Sequence, residues 1–241
     1  MKQIKIKGIK TIFFDVFGTV FDWHKSIHQE SIKFASKHKL SFDEFIFTDK
    51  WRAGFRSLQS KVANGERDYL SMDEIHMEVL IELLNELKIK NINNENLNKF
   101  NEAWHRLIPW NDSLSGLAKL KNNFLISALS NGNLSMLVKL SKNSKIPWDS
   151  ILSTEFFGTY KPDPKVYLGA INLLESKPEE SMMVASHAYD LDGASKIGLK
   201  TCYVNRPNEF GTGVGENYGD LSRFDIVVES FEEIYKKIER N

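Results

Sequence analysis

Thr11 to Asp22 reads TIFFDVFGTVFD. Ile9 and the run from Thr11 to Phe14, with Thr11 the polar exception, predict a short buried strand, and an acid, Asp15, stands where that strand should end. The strand therefore delivers a carboxylate. Gly18 frees the backbone to turn sharply, and Thr19 is spaced to point its hydroxyl back over the same pocket. Taken alone, the stretch equally fits a strand closed by a turn-forming Asp. The rest of the chain separates the two readings.

Bulk composition narrows the partners. A chain of 241 residues is long enough for one ordinary domain plus a substantial insertion. Lys+Arg and Asp+Glu are equal at 32 each, so no charge excess favours nucleic acid or an anionic membrane. A small molecule is the expected partner. The single cysteine, Cys202, excludes an internal disulfide framework and a multi-thiolate metal site. The opening MKQIKIKGIK has neither a long apolar run nor a cleavage site, so neither a signal peptide nor a membrane span is expected, and a cytoplasmic protein is.

After Asp22 the pattern turns helical and stays so until Pro109. Four helices are expected: around Ile27 to Phe34, Phe45 to Val62, Ile75 to Leu87 and Leu97 to Leu107. Ser71-Met-Asp-Glu74 reads as a capping box opening the third, while Trp51 and Phe55 read as apolar stripe of the second. From Pro109 helices and strands alternate, which predicts parallel strands with crossovers. Ser113 is expected to cap a helix, Phe124 to Leu129 to form a strand ending at Ser130-Asn131-Gly132, and short strands to follow near Ile151, Met182, Thr201 and Ile226. The expected class is α/β, with a Rossmann-like parallel-sheet core (residues 1–22 and 110–241) and an inserted helical cap (23–109). In such sheets ligands bind at the carboxyl ends of strands. Asp15, Ser130-Asn131, Lys161 and the Ser186 to Asp190 segment all follow such ends.

Each of these has a plainer reading. Ser-Asn-Gly is ordinary turn chemistry, Lys161 before Pro162 fits a loop lysine, and Asp190 fits a helix cap. Arg52 fits a surface arginine of the cap, and His187 fits a satisfied structural histidine. The glycines at 211, 213 and 215 suggest phosphate, but Glu216 stands where a dinucleotide fingerprint needs its third glycine and no apolar helix follows.

In order, FFDVFGTVFD, LSNGN, YKPDPKVY and VASHAYDLDGA resemble the haloacid dehalogenase superfamily over almost the whole chain. The aromatic Phe17, the pair Trp51-Arg52, the segment WHRLIPWNDS and SNG after the next strand are similar to the (S)-2-haloacid dehalogenases (type II). The resemblance implies Asp15 as nucleophile, with Thr19, Arg52, Lys161 and Asp190 as its catalytic partners. It places Phe17, Ser130, Asn131, Tyr167, Ser186 and His187 at the substrate. It implies no cofactor and no required metal, a small halocarboxylate as substrate, and a homodimer. Where well-known members read Ser-Ser-Asn-Ala-Trp-Asp, this chain reads Ala185-Ser186-His187-Ala188-Tyr189-Asp190, which puts substrate choice in question more than reaction class. Relatives with histidine here include enzymes acting on haloacetates, fluoroacetate among them.

Chemistry supports a dehalogenase over the superfamily's phosphatases. A phosphatase needs a second acid two residues beyond the nucleophile to protonate the departing alkoxide, and Phe17 occupies that place. A halide is a weak base and leaves without a proton. The expected activity is hydrolysis of short 2-haloalkanoic acids through an aspartyl ester. Alternatives are a phosphatase with an atypical motif, a non-catalytic fold binding a small carboxylate or a partner, and the same attack opening a strained ring.

Overall fold

Thr11–Phe14 form β1, buried along its whole length. It lies between β4 (Leu125–Ser130) and β6 (Ser181–Ala185), both parallel to it, with Phe14 opposite Ala128 on one side and Val184 on the other. The computed structural model describes residues 6–215 and 217–238. The first five residues of the Lys/Ile opening and Glu216 of the glycine loop lie outside the described residues. With β5 (Ser150–Ser153), β7 (Lys200–Val204) and β8 (Ile226–Val228) the sheet runs β5-β4-β1-β6-β7-β8, parallel throughout.

Because side chains alternate across a strand, β1 feeds two cores. Ile12 and Phe14 pack with Leu117 and Leu120 of α5 (Ser113–Lys121) and Phe231 and Ile234 of α9 (Phe231–Lys237). Phe13 joins Val166 and Ala170 of α7 (Pro164–Leu173) and Leu191 and Ala194 of α8 (Ala188–Lys196). Truncating a fully buried Phe such as Phe13 to Ala costs about 3–5 kcal/mol. The sheet is therefore a rigid floor for whatever its strand ends carry.

The helical insertion hangs on a ribbon that the sequence pattern did not reveal. Phe21–Asp22 (β2) and Ile108–Pro109 (β3) pair antiparallel, and two residues are too few to express a strand period. Between them lie α1 (Trp23–His38), α2 (Glu44–Ala63), α3 (Met72–Glu86) and α4 (Asn94–Asn101), the last followed by a 3-10 turn, Glu102–His105. The capping box forms as expected: Ser71 accepts from the Glu74 N–H and Glu74 from the Ser71 N–H. Aromatic rings fill the cap interior, with Phe34 stacked on Phe100 at 4.1 Å and Trp51 edge-on to Trp104 at 5.6 Å.

Ser113 does not cap α5. The N-cap is Asp112, and the Ser113 hydroxyl donates to the Val20 carbonyl at 2.7 Å. Asp112 itself is taken by Arg206 at 2.9 Å and by the Phe231 N–H. Cap and core are tied at the strand ends. Asn133 Nδ2 donates to Asp73 of α3 at 2.9 Å, and the Tyr160 hydroxyl donates to the Leu70 carbonyl. Among the described residues no helix is long and apolar enough to cross a membrane.

Candidate active site

Asp15 emerges from the carboxyl end of β1 with its side chain buried. Its Oδ1 accepts from Lys161 Nζ at 2.7 Å, and its Oδ2 accepts from the Thr19 hydroxyl at 2.8 Å. Lys161 is shared, for its Nζ also donates to Asp190 Oδ2 at 2.5 Å. Asp190 in turn accepts from the Tyr167 hydroxyl at 2.7 Å. The Lys161 N–H donates to Asn131 Oδ1 at 2.9 Å, so the turn after β4 positions the lysine. Burial raises the Asp15 carboxyl, but the Lys161 and His187 charges outweigh it and hold Asp15 well below the usual carboxylate range. For Asp190 burial wins over Lys161, and its carboxyl is raised. Burial lowers the Lys161 ammonium, yet Asp15 and Asp190 together push it up.

A second chain of contacts reaches Asp15 from the other side. His187 Nδ1 lies 3.1 Å from Asp15 Oδ2, and its Nε2 lies 2.8 Å from Glu209 Oε1. Glu209 is 2% exposed. It also accepts from Trp23 Nε1 at 3.0 Å and from the Ser186 hydroxyl at 3.2 Å. This packing needs a glycine at position 18: a Cβ there would sit 2.2 Å from Glu209 Oε1, and Gly18 has φ +83°. Burial lowers the His187 imidazole, but Glu209 and Asp15 overcome it and raise His187 well above its ordinary value. Burial raises Glu209, and His187 brings it down below the usual carboxylate range.

Above Asp15 a cavity of about 20 Å³ opens between core and cap, lined among others by Phe17, Arg52, Phe55, His76, Trp104, Asn131 and His187. Arg52 comes from α2, 8% exposed, its guanidinium over the Phe55 ring at 4.4 Å and the Trp23 ring at 5.3 Å. Burial lowers its pKa. The Arg52 Nε, both His76 ring nitrogens and the Trp104 Nε1 are buried without hydrogen-bond partners among the described residues. An unpaired buried donor is costly, so the cavity wall is suited to an anionic or acceptor-bearing guest. His76 stacks on Trp104 at 4.2 Å, and burial holds its imidazole down to about 3. Phe17 stands edge-on to Trp104 at 6.4 Å and packs against Gly132, where any Cβ would meet its ring at 2.7 Å.

The expected residues thus divide. Asp15, Phe17, Arg52, Asn131 and His187 line the cavity, with Lys161, Thr19 and Asp190 directly behind Asp15. Ser130, Tyr167 and Ser186, expected at the substrate, are set back from the lining. Ser130 Oγ accepts the Gly132 N–H, Tyr167 holds Asp190, and Ser186 serves Thr19 and Glu209. Phe55, read as cap interior, faces the cavity, whereas Trp51 stays inside the cap with its Nε1–H on the His76 carbonyl. His76, Trp104 and Glu209 were not foreseen. Glu209 sits in the loop leaving β7, so the same carboxyl-end rule that marked the other loops applies to it. Asp192 points away and pairs with Arg223 at 3.0 Å, close to solvent. Among the described residues no group of three or more His, Cys, Asp or Glu is arranged to hold a metal ion.

Comparison with known proteins places this geometry. Residues 9–198 match the profile of the haloacid dehalogenase-like hydrolases. The (S)-2-haloacid dehalogenase 4A of Burkholderia cepacia is 30% identical over 206 residues, which cover 83% of this chain and 85% of that protein. The crystal structure of the defluorinating L-2-haloacid dehalogenase Rha0230 superposes with a TM-score of 0.91 at 34% identity, over 95% of both chains. That of the L-2-haloacid dehalogenase PA0810 gives 0.88 at 34% identity, over 95% of this chain and 99% of that one. With its parallel sheet, its helical insertion after β1 and an acid at the β1 terminus, this chain belongs to the haloacid dehalogenase-like hydrolases and is similar within them to the (S)-2-haloacid dehalogenases.

Proposed function

We propose that the protein hydrolyses the carbon–halogen bond of short (S)-2-haloalkanoic acids and of haloacetates, fluoroacetate included. The observation that carries the proposal is an ionised carboxylate, Asp15, lining a small cavity that Arg52 also lines, its buried guanidinium Nε without a hydrogen-bond partner among the described residues. Phe17 fills the place where a phosphatase would carry its general acid, and a halide, being a weak base, needs no such acid to depart.

In this reading Arg52 and the Asn131 amide hold the substrate carboxylate and the departing halide. Asp15 attacks the α-carbon from the side opposite the halogen: an oxygen–carbon bond forms, the carbon–halogen bond breaks with its electron pair, and configuration inverts. Water then attacks Cγ of the ester, the Cγ–O bond to the substrate breaks, and Asp15 is regenerated. One proton of that water ends on the 2-hydroxy acid and the other in solvent. Lys161 keeps Asp15 ionised, and Asp190 with Tyr167 keeps Lys161 in place. The cap, residues 23–109, excludes bulk water from the charged site.

Halide release from fluoroacetate, chloroacetate and both enantiomers of 2-chloropropionate, by wild type and by Asp15→Asn, tests the proposal. Release by the wild type, selective for the (S) enantiomer and abolished in the variant, is expected. No halide from any of the four, with phosphate released from a phosphomonoester in Mg²⁺, would overturn it.

A further inference from the structure

Glu209 is a buried carboxylate that the steps above do not use. Among the described residues its side-chain partners are donors or can act as such: Trp23 Nε1, the Ser186 hydroxyl and His187 Nε2. Asp15 likewise accepts from Lys161 and Thr19. His187 therefore stands between two acceptor-only carboxylates, at 2.8 and 3.1 Å, and satisfies both only by donating from both ring nitrogens. The two oxygens of Asp15 are unequal. Oδ2 already takes Thr19 and His187, whereas Oδ1 takes Lys161 alone, which leaves Oδ1 the freer lone pair for attack on carbon. The ester that forms then has Oδ2 as its carbonyl oxygen, with Thr19 Oγ–H and His187 Nδ1–H aimed at it.

We propose that His187 and Thr19 form the oxyanion hole for hydrolysis of the aspartyl ester, and that Glu209 is the positioning residue that keeps His187 a doubly donating imidazolium. The inference rests on the dehalogenase reading above and deepens it. When water adds to Cγ, the carbonyl electron pair moves onto Oδ2 and is met there by a hydroxyl and a full positive charge. Collapse returns the pair and breaks the Cγ–Oδ1 bond. Esterification removes one of the two negative charges beside His187, so the second, Glu209, is what retains its proton at that stage. The charged and titratable groups facing the imidazole are Asp15 at the end of β1, Glu209 from the loop after β7 and Tyr189 from α8, and Arg52 lines the same cavity. Bringing Glu209 so near β1 is also what Gly18 makes room for.

Two measurements test this. In the substrate-free wild type, nitrogen NMR of His187, assigned by its loss in His187→Gln, should show both ring nitrogens protonated at neutral pH. In Glu209→Gln the signal should become that of a neutral ring. In rapid mixing with chloroacetate, Glu209→Gln should release a burst of halide stoichiometric with enzyme and then turn over about a hundredfold more slowly than wild type. Its intact mass should rise by one carboxymethyl group, and KM should fall in parallel with kcat because ester hydrolysis has become limiting. A merely structural role for Glu209 would slow burst and turnover alike. That outcome, unchanged turnover in Glu209→Gln, or a wild-type His187 protonated on one nitrogen only would each overturn the proposal. Failure of the wild type to release halide would instead refute the dehalogenase reading, and the NMR result stands apart from it.

Discussion

Replacing Lys161 by Met probes the electrostatic centre of the site. The ammonium lies 2.7 Å from Asp15 Oδ1 and 2.5 Å from Asp190 Oδ2, with the lysine side chain 1% exposed, so solvent does little to screen either pair. Unit charges about 4 Å apart at an effective dielectric of about 20 interact by about 4 kcal/mol. At about 1.4 kcal/mol per decade, losing that attraction raises the Asp15 pKa by about three units, so in acid the variant's carboxyl takes up a proton that the wild-type carboxylate refuses, and attack slows there but not near neutral pH. The sign gives a signature. Wild-type Asp15, depressed by Lys161 and His187, is ionised well into acid, so ester formation is flat with pH there. In Lys161→Met the first-turnover halide yield should climb as pH rises through the new Asp15 pKa. Rapid-quench halide release from chloroacetate across that range is the assay, with a thermal melt as folding control, since breaking a buried pair costs about 3–5 kcal/mol of stability. A variant whose first-turnover halide release stays as flat with pH in the acid range as that of wild type would refute the reasoning.

Arg52→Lys loses the planar fork. Hydrogen bonds to charged groups are worth about 1.5–3 kcal/mol, so KM for chloroacetate should rise about ten- to hundredfold, and an unchanged KM would remove Arg52 from substrate binding. His76, held neutral to about 3 against an unfolded value of 6.5, destabilises the fold as pH falls from 6.5 toward about 3, because the unfolded chain takes up the proton first. Urea melts should show His76→Phe losing about 3 kcal/mol less stability than wild type between neutrality and pH of about 4.5, and parallel losses would contradict the assignment. Gly18→Ala forces a Cβ against Glu209 and strains a positive φ, so a melt should find it destabilised by about 1–3 kcal/mol or more, and wild-type stability would show that Glu209 packs elsewhere.

Much of this was legible in the sequence because chemistry and period coincided there. β1 announced itself by an unbroken buried run ending in Asp15, and α3 by its capping box. Lys161 and Asp190 were marked by their places after strands, and a parallel sheet converges those places on one edge. The parts that stayed hidden have local causes. The β2–β3 ribbon is two residues deep and leaves no periodic trace. His76, Trp104 and Phe55 lie on apolar helix faces whose spacing is the same whether they meet the cap interior or the cavity. Glu209 sits in an irregular loop, and only its fold-back onto Gly18 brings it to His187. Ser130, Tyr167 and Ser186 lie close to the site, yet whether a side chain faces the cavity or braces a neighbour is decided by packing that no spacing records.

The aspartyl ester is the central claim, and a single turnover in water labelled with heavy oxygen tests it most directly. With enzyme in excess over (S)-2-chloropropionate, the hydroxy acid should carry no label, and the heavy oxygen should appear in the peptide containing Asp15. Label in the first-turnover product, with Asp15 unlabelled, would mean that water attacks the substrate itself and that Asp15 is not the nucleophile.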